Sequence, residues 1–231
     1  MRRQPGILLV LLCLFLLGFV GPAGAPEKPQ DIQSLKEALA KEPQNAEAYY
    51  RLGLAYEAQG NEAEALKALK KAVSLKPDYA EARATLADAY DRRGVRLAEQ
   101  ENWREAEASF QEAMRSNPED MKAFYNLGVA YGSQGHWREA AGAFQDALRR
   151  DPNHPDANYN LGLTYLMMGR QARSPEESNA IRRQALEQYR RLVTLNDSLA
   201  GDLFYVLSNP REGALPTMRG WQAPPKSRGR W

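Results

Sequence analysis

Residues 124–152 read FYNLGVAYGSQGHWREAAGAFQDALRRDP, from Phe124 to Pro152. Two apolar-patterned runs flank Gly135. In the second run Ala140, Phe144 and Ala147 lie four and three residues apart, which places them on one stripe of a helix. In the first run, Leu127 and Tyr131 bracket Gly128, an interior glycine that costs a helix about 1 kcal/mol relative to alanine. That cost is reasonable where a neighbouring helix must approach closer than a side chain allows. Gly135 suits a helix carboxy-cap, and Pro152 stops the second run. The stretch therefore predicts two helices, the first ended by Gly135 and the second by Pro152.

The same pattern occurs four times. Leu52-Gly53-Leu54-Ala55-Tyr56, Leu86-Ala87-Asp88-Ala89-Tyr90, Leu127-Gly128-Val129-Ala130-Tyr131 and Leu161-Gly162-Leu163-Thr164-Tyr165 open the copies. Leu52 to Leu86 and Leu127 to Leu161 are each 34 residues, whereas Leu86 to Leu127 is 41. Second halves follow at Ala65/Leu69/Ala72, Ala106/Phe110/Ala113, Ala140/Phe144/Ala147 and Ala185/Tyr189/Leu192. Pro77, Pro118 and Pro152 close the first three, with Asp197 in the fourth. Gly60, Gly94, Gly135 and Gly169 are expected to end the first helices. Internal repetition at this period signals a stacked architecture rather than a single globule.

These positions resemble the tetratricopeptide repeat (TPR) family. Its pattern reads through copy three as Phe124, Leu127, Gly128, Tyr131, Ala140, Phe144, Ala147 and Pro152. The resemblance covers about 46–199 and implies an all-α solenoid of stacked helix pairs wound into a right-handed superhelix with a concave groove. The repeats divide as 46–79, 80–120, 121–154 and 155–199. Residues 26–45, with Leu35, Ala38 and Pro43 spaced like Leu69, Ala72 and Pro77, read as a half-repeat cap. Two departures stand out. Copy two carries seven extra residues, 95–101, expected at the turn between its helices. Copy four carries about eleven between Gly169 and Ala185. There Ser174-Pro175-Glu176-Glu177 is a helix-start signature that predicts a long helix from Pro175 to Leu195.

Beyond the repeats, Arg2-Arg3 and the uncharged apolar run Ile7–Val20 read as a signal peptide or signal anchor over 1–25. The chain is then exported, periplasmic or extracellular, or membrane-anchored through 7–20 with its repeats outside the cytoplasm. The +2 formal charge of the 231 residues comes from Arg2 and Arg3. Residues 200–210 read as a carboxy-terminal cap, with a peptide for another molecule's groove as the alternative for 201–208. Residues 211–231 read as a disordered, basic tail.

Composition excludes much. The one cysteine, Cys13, forms no intramolecular disulfide and no cysteine-based zinc site, and two histidines leave little for imidazole chemistry. His136 and His154 read as turn or surface residues. No nucleophile elbow, phosphate loop or dinucleotide fingerprint is present. The expectation is a nonenzymatic chain without catalytic residues, cofactor or metal, and without a specific nucleic-acid partner.

The resemblance places the ligand-facing positions of each first helix. Copy one supplies Glu47, Tyr50, Leu54, Glu57 and Ala58; copy two supplies Glu81, Ala84, Asp88, Asp91 and Arg92. Copy three supplies Lys122, Tyr125, Val129, Gly132 and Ser133. Copy four supplies Asp156, Tyr159, Leu163, Leu166 and Met167. Tyr50, Tyr125 and Tyr159 would form an aromatic ladder, acidic at one end and apolar at the other. Such a groove suits an extended or helical protein segment, with ordinary packing between repeats as the competing role for the tyrosines. The function expected is a protein-interaction scaffold, with envelope or secretory assembly as its setting. The alternative is a glycan-associated module stacking sugars on the tyrosines, Trp103 or Trp137. Asn126 and Asn160 match one position of the lysine-and-asparagine clamp of chaperone-binding members, but the accompanying lysine positions do not match.

Overall fold

The computed structural model describes residues 31–209 and Met218. Among them are ten α-helices and no strand: α1 Ile32–Lys41, α2 Ala46–Ala58, α3 Glu62–Leu75, α4 Ala80–Glu99, α5 Trp103–Ser116, α6 Met121–Ser133, α7 Trp137–Arg150, α8 Pro155–Arg170, α9 Pro175–Leu195 and α10 Asp197–Ser208. The expected all-α solenoid is the observed architecture. The helices pair as α2/α3, α4/α5, α6/α7 and α8/α9, and each pair stacks on the next. The apolar interior is correspondingly segmented. Leu35 and Leu39 of α1 pack with Leu52 and Tyr56, Leu66 and Leu69 with Leu86 and Tyr90, and Phe110 with Ala98 and Leu127. Each layer leans only on its neighbours, as in other solenoids.

Local chemistry sets the helix ends. Asn45, Asp120, Ser174 and Asn196 each accept a backbone N–H of the first turn through a side-chain oxygen, at 2.9–3.1 Å. His154 accepts from Ala157 N–H through Nδ1 at 3.2 Å, so this histidine is a helix cap. At the other end, α2, α4 and α6 share one carboxy-terminal motif. Asn61 N–H donates to Tyr56 O, Asn102 N–H to Leu97 O, and His136 N–H to Tyr131 O, each at 2.9 Å. This wrapping turn needs a left-handed residue. Gly60 at φ 74° and Gly135 at φ 78° supply it in α2 and α6; in α4 the residue is Glu101 at φ 60°.

Copy two departs from expectation here. The extra residues 95–101 were expected to enlarge a turn. Instead α4 runs as helix to Glu99, and Gly94 lies inside it, buried. Seven residues are almost two turns and rotate a helix by only about 20°, so the buried stripe continues. The close approach has moved with it. A Cβ on Gly53 would lie 2.6 Å from Leu69 Cγ, and one on Gly128 would lie 2.7 Å from Phe144 Cδ1. In copy two the corresponding contact is Gly94 against Phe110 Cε1, at 2.5 Å. Leu86 and Tyr90 belong to the layer with Leu66 and Leu69, and Gly94 and Ala98 meet α5. One helix thus serves two layers in succession. Gly169, also expected to end a helix, lies within α8.

The end of the stack is modified too. The long helix predicted from Pro175 to Leu195 is α9, capped by Ser174 as its sequence indicates. Asn196 closes α9 and caps α10, leaving no linker between them. The expected boundary at 199/200 falls inside α10. Leu199, Leu203, Val206 and Leu207 of α10 are buried, and Leu203 fills the notch at Gly162, 2.6 Å from a Cβ there. The segment 1–30, with the expected signal or anchor, lies outside the described residues. Among those described, no helix is long and apolar enough to cross a membrane.

Candidate peptide-binding face

Hydrogen bonds one period apart join the first helices of the pairs, α2, α4, α6 and α8, into a continuous face. Thr85 Oγ1 lies 3.5 Å from the Tyr50 hydroxyl it donates to. Lys122 Nζ donates to Asp88 at 3.0 Å, and Asn126 Nδ2 reaches both Asp91 oxygens at 2.9 Å. Asn160 Nδ2 donates to the buried Tyr125 hydroxyl at 3.1 Å. Arg92 pairs with Glu57, and the Tyr79 hydroxyl donates to Glu47. All join residues 32–35 apart.

These bonds change what the acidic half of the face offers. Glu47, Glu57, Asp88 and Asp91 were expected to present carboxylates to a ligand; Glu57, Asp88 and Asp91 each have a partner in the next repeat, and Glu47 is held by Tyr79 at the start of α4 and by Arg51 on its own helix. The Tyr79 hydroxyl, aided by Arg51, holds the Glu47 carboxyl below the usual range. Burial, and then the Glu47 bond, pushes Tyr79 up. Burial likewise raises Asp91, against the stabilising donation from Asn126. The Asp88 bond raises Lys122. The seam therefore ties its four carboxylates to two cations, an amide and a hydroxyl, and is not an open anionic strip. Glu81 remains exposed and Asp156 half-buried.

The tyrosine ladder is uneven. Tyr50 is half-buried and stands edge-on to Tyr79, ring centres 5.2 Å apart. Tyr125 and Tyr159 are buried, as are Val129 and Leu163, so these four do not present open surface. The cause is packing: all four belong to the apolar cluster that α6 to α10 share. Leu166 and Met167 are half-buried, and Leu54 is 39 % exposed. Met218 packs against that same cluster. A Cβ on Gly132 would collide with the Met218 thioether, and the Trp137 ring borders the position at 3.7 Å. The expectation of a solvated tail thus does not hold at Met218; the other tail residues beyond Asn209 lie outside the described set.

A second concavity involves none of the expected residues. It is a cleft of about 890 Å³ floored by Leu52, Tyr56 and Leu66, with Lys36, Lys67 and Lys71 on its rim. Its signal in the sequence is the lysine spacing of α3, which reads equally well as an ordinary solvated face. Among the described residues no grouping of His, Cys, Asp or Glu is arranged to hold a metal ion.

The family model described as Cytochrome c-type biogenesis protein H TPR domain matches residues 22–159. The chain belongs to this TPR family. The match ends partway along α8, so α9 and α10 lie beyond it. No curated protein matches this TPR chain. Among solved structures, a crystal structure of MamA is 28 % identical over 71 % of this chain and 89 % of that one, at a TM-score of 0.43. MamA 41-end from Desulfovibrio magneticus RS-1 is 22 % identical over 72 % and 84 %, at 0.44. YrrB, described as a TPR protein with an unusual peptide-binding site, is 24 % identical over 75 % and 81 %, at 0.45.

Proposed function

We propose that this TPR chain is a noncatalytic scaffold that holds an extended or helical segment of a client polypeptide along the face of α2, α4, α6 and α8. The observation that carries the reading is the character of that face. Glu57, Asp88 and Asp91 are tied up between repeats, while Leu54, Tyr50, Leu166 and Met167 leave apolar surface at intervals along it. A face of this kind gains affinity from apolar anchors rather than from ion pairs. The family description supports a setting in c-type cytochrome biogenesis, with an unfolded cytochrome polypeptide as client. In this reading residues 46–199 are the repeat body, flanked by caps at 26–45 and 200–210. Residues 1–25 export the chain or tether it by 7–20, so that the repeats work outside the cytoplasm.

The test is binding of a fluorescent apocytochrome c polypeptide to the purified chain, followed by anisotropy. Leu54→Asp places a charge at an exposed anchor without opening the core. Losing one buried leucine contact, about 1.5–3 kcal/mol, weakens binding roughly tenfold to a hundredfold. Equal affinity of variant and parent removes the face from the mechanism. Displacement of the polypeptide by oligosaccharide, with Trp103 or Trp137 substitutions abolishing it, would favour the glycan-associated alternative.

A further inference from the structure

Met218 is nine residues beyond the end of the continuously described chain, and its side chain lies on the predicted ligand face. We propose that the carboxy-terminal segment carrying Met218 is a cis-acting occupant of the groove, seated by its thioether on Gly132, and that it competes with client polypeptide. The proposal rests on the scaffold reading above.

Three observations support it. Gly132 lies in the last turn of α6, one residue before its end, and is buried there. The space a Cβ would take is held by the Met218 sulfur and methyl groups. Second, Met218 packs against the cluster containing Tyr125, Val129, Tyr159 and Leu163, which are four of the expected ligand-facing residues. Third, the seat suits the side chain. An unbranched thioether can lie flat in a notch between a bare helix backbone and the Trp137 ring, where a β-branched residue could not. Eight residues separate Asn209 from Met218, and such a tether reaches at most about 30 Å. Over so short a tether the effective concentration is about millimolar. If the segment alone binds with a Kd of about 0.1 mM, cis occupancy weakens any competitor about tenfold.

The kind of client that fits follows from the occupant. It carries methionine or another straight aliphatic side chain at its anchor. The segment itself reads Leu215-Pro216-Thr217-Met218-Arg219.

Two measurements on the full chain test this. In the first, the probe is a labelled peptide of residues 212–224 from this chain. Met218→Asp should empty the seat and tighten peptide binding about tenfold. Adding Gly132→Ala to Met218→Asp should abolish that gain, with the helical circular dichroism retained. Equal affinity for parent and Met218→Asp, or no binding to either, overturns the proposal. In the second, methionine methyl groups are 13C-labelled, and the Met218 signal is assigned through Met218→Leu. A nuclear Overhauser effect from that methyl to the Gly132 α protons, unchanged on dilution of a monomer, supports cis seating. Its absence, or its loss on dilution of a dimer, overturns it. Failure of either leaves the Leu54→Asp measurement with apocytochrome c polypeptide unaffected, so the two readings can fail separately.

Discussion

Replacing Gly94 and Gly142 by alanine, one at a time, should shift stability in opposite directions. Both glycines are interior to helices, α4 and α7. Each substitution therefore brings the same backbone gain, about 1 kcal/mol. At Gly142 a Cβ meets nothing within 4 Å, so that gain is all that is felt. At Gly94 the Cβ would lie 2.5 Å from Phe110 Cε1 and 2.7 Å from Cδ1. Phe110 is fully buried, so the ring has no free space to swing into. Overpacking of this kind costs about 1–3 kcal/mol. The net expectation is about 1 kcal/mol of stabilisation for Gly142→Ala and about 0–2 kcal/mol of destabilisation for Gly94→Ala. In a chain of this size 1 kcal/mol moves the thermal midpoint by roughly 2–4 °C. A gap of about 2 kcal/mol thus separates the variants by roughly 4–8 °C. Thermal melts followed by circular dichroism at matched concentration measure it. Solenoids can melt in parts, so the comparison uses midpoints instead of extrapolated free energies. If Gly94→Ala were as stabilising as Gly142→Ala, α5 would not press on Gly94, and the two-turn extension of α4 would be misassigned.

Other outcomes follow from the same structure. Glu101→Gly should stabilise the chain by about 0.5–1 kcal/mol in urea titration, because a left-handed side-chain residue costs more than a glycine there. Asp91 has a folded pKa raised by burial, so the folded state holds its proton more readily than the unfolded chain. Its penalty is absent at about pH 3 and sets in as pH rises from about 3.9 through the raised value. The urea midpoint of Asp91→Asn should therefore gain on that of the parent between about pH 3 and pH 7. Asn160→Ala removes the buried donor to the Tyr125 hydroxyl and should cost about 1–3 kcal/mol. Arg92→Ala, whose guanidinium is well exposed, should cost no more than about 1 kcal/mol.

The helix pairs were legible because their signals are local. Interior glycines, the Ala-aromatic-Ala stripe and the prolines each act within one pair, and the Ser174 signature located α9 to the residue. Copy two was misread in register, although its second half held the correction. Counting back twelve residues from Ala65 and Ala140 gives Gly53 and Gly128, and counting back twelve from Ala106 gives Gly94, not Ala87. Leu86 and Tyr90 pack on the preceding layer as Leu52 and Leu127 do, so the motif matched while the close approach to α5 had moved on to Gly94.

The ligand face was less legible because its fate is decided between repeats. Glu57 and Arg92, or Asp88 and Lys122, look like separate surface charges until one asks what stands one period away. Opposite charges at 34–35 residues were visible in the sequence and signal seam pairs. Tyr125 and Tyr159 occupy the same repeat position as Tyr50, but they lie where α10 and Met218 add to the cluster. No periodic rule carries that information, since neither α10 nor the tail repeats.

Leu203 occupying the notch at Gly162 limits how this chain could lengthen by gene duplication. A copied 34-residue unit inserted between α3 and α8 meets, on both sides, surfaces shaped by units of its own kind. After α9 it does not: α10 follows at once from Asn196 and fills the contact that an additional pair would need. Growth is open between α3 and α8 and closed directly after α9, so variation in repeat number among descendants should fall before Pro155.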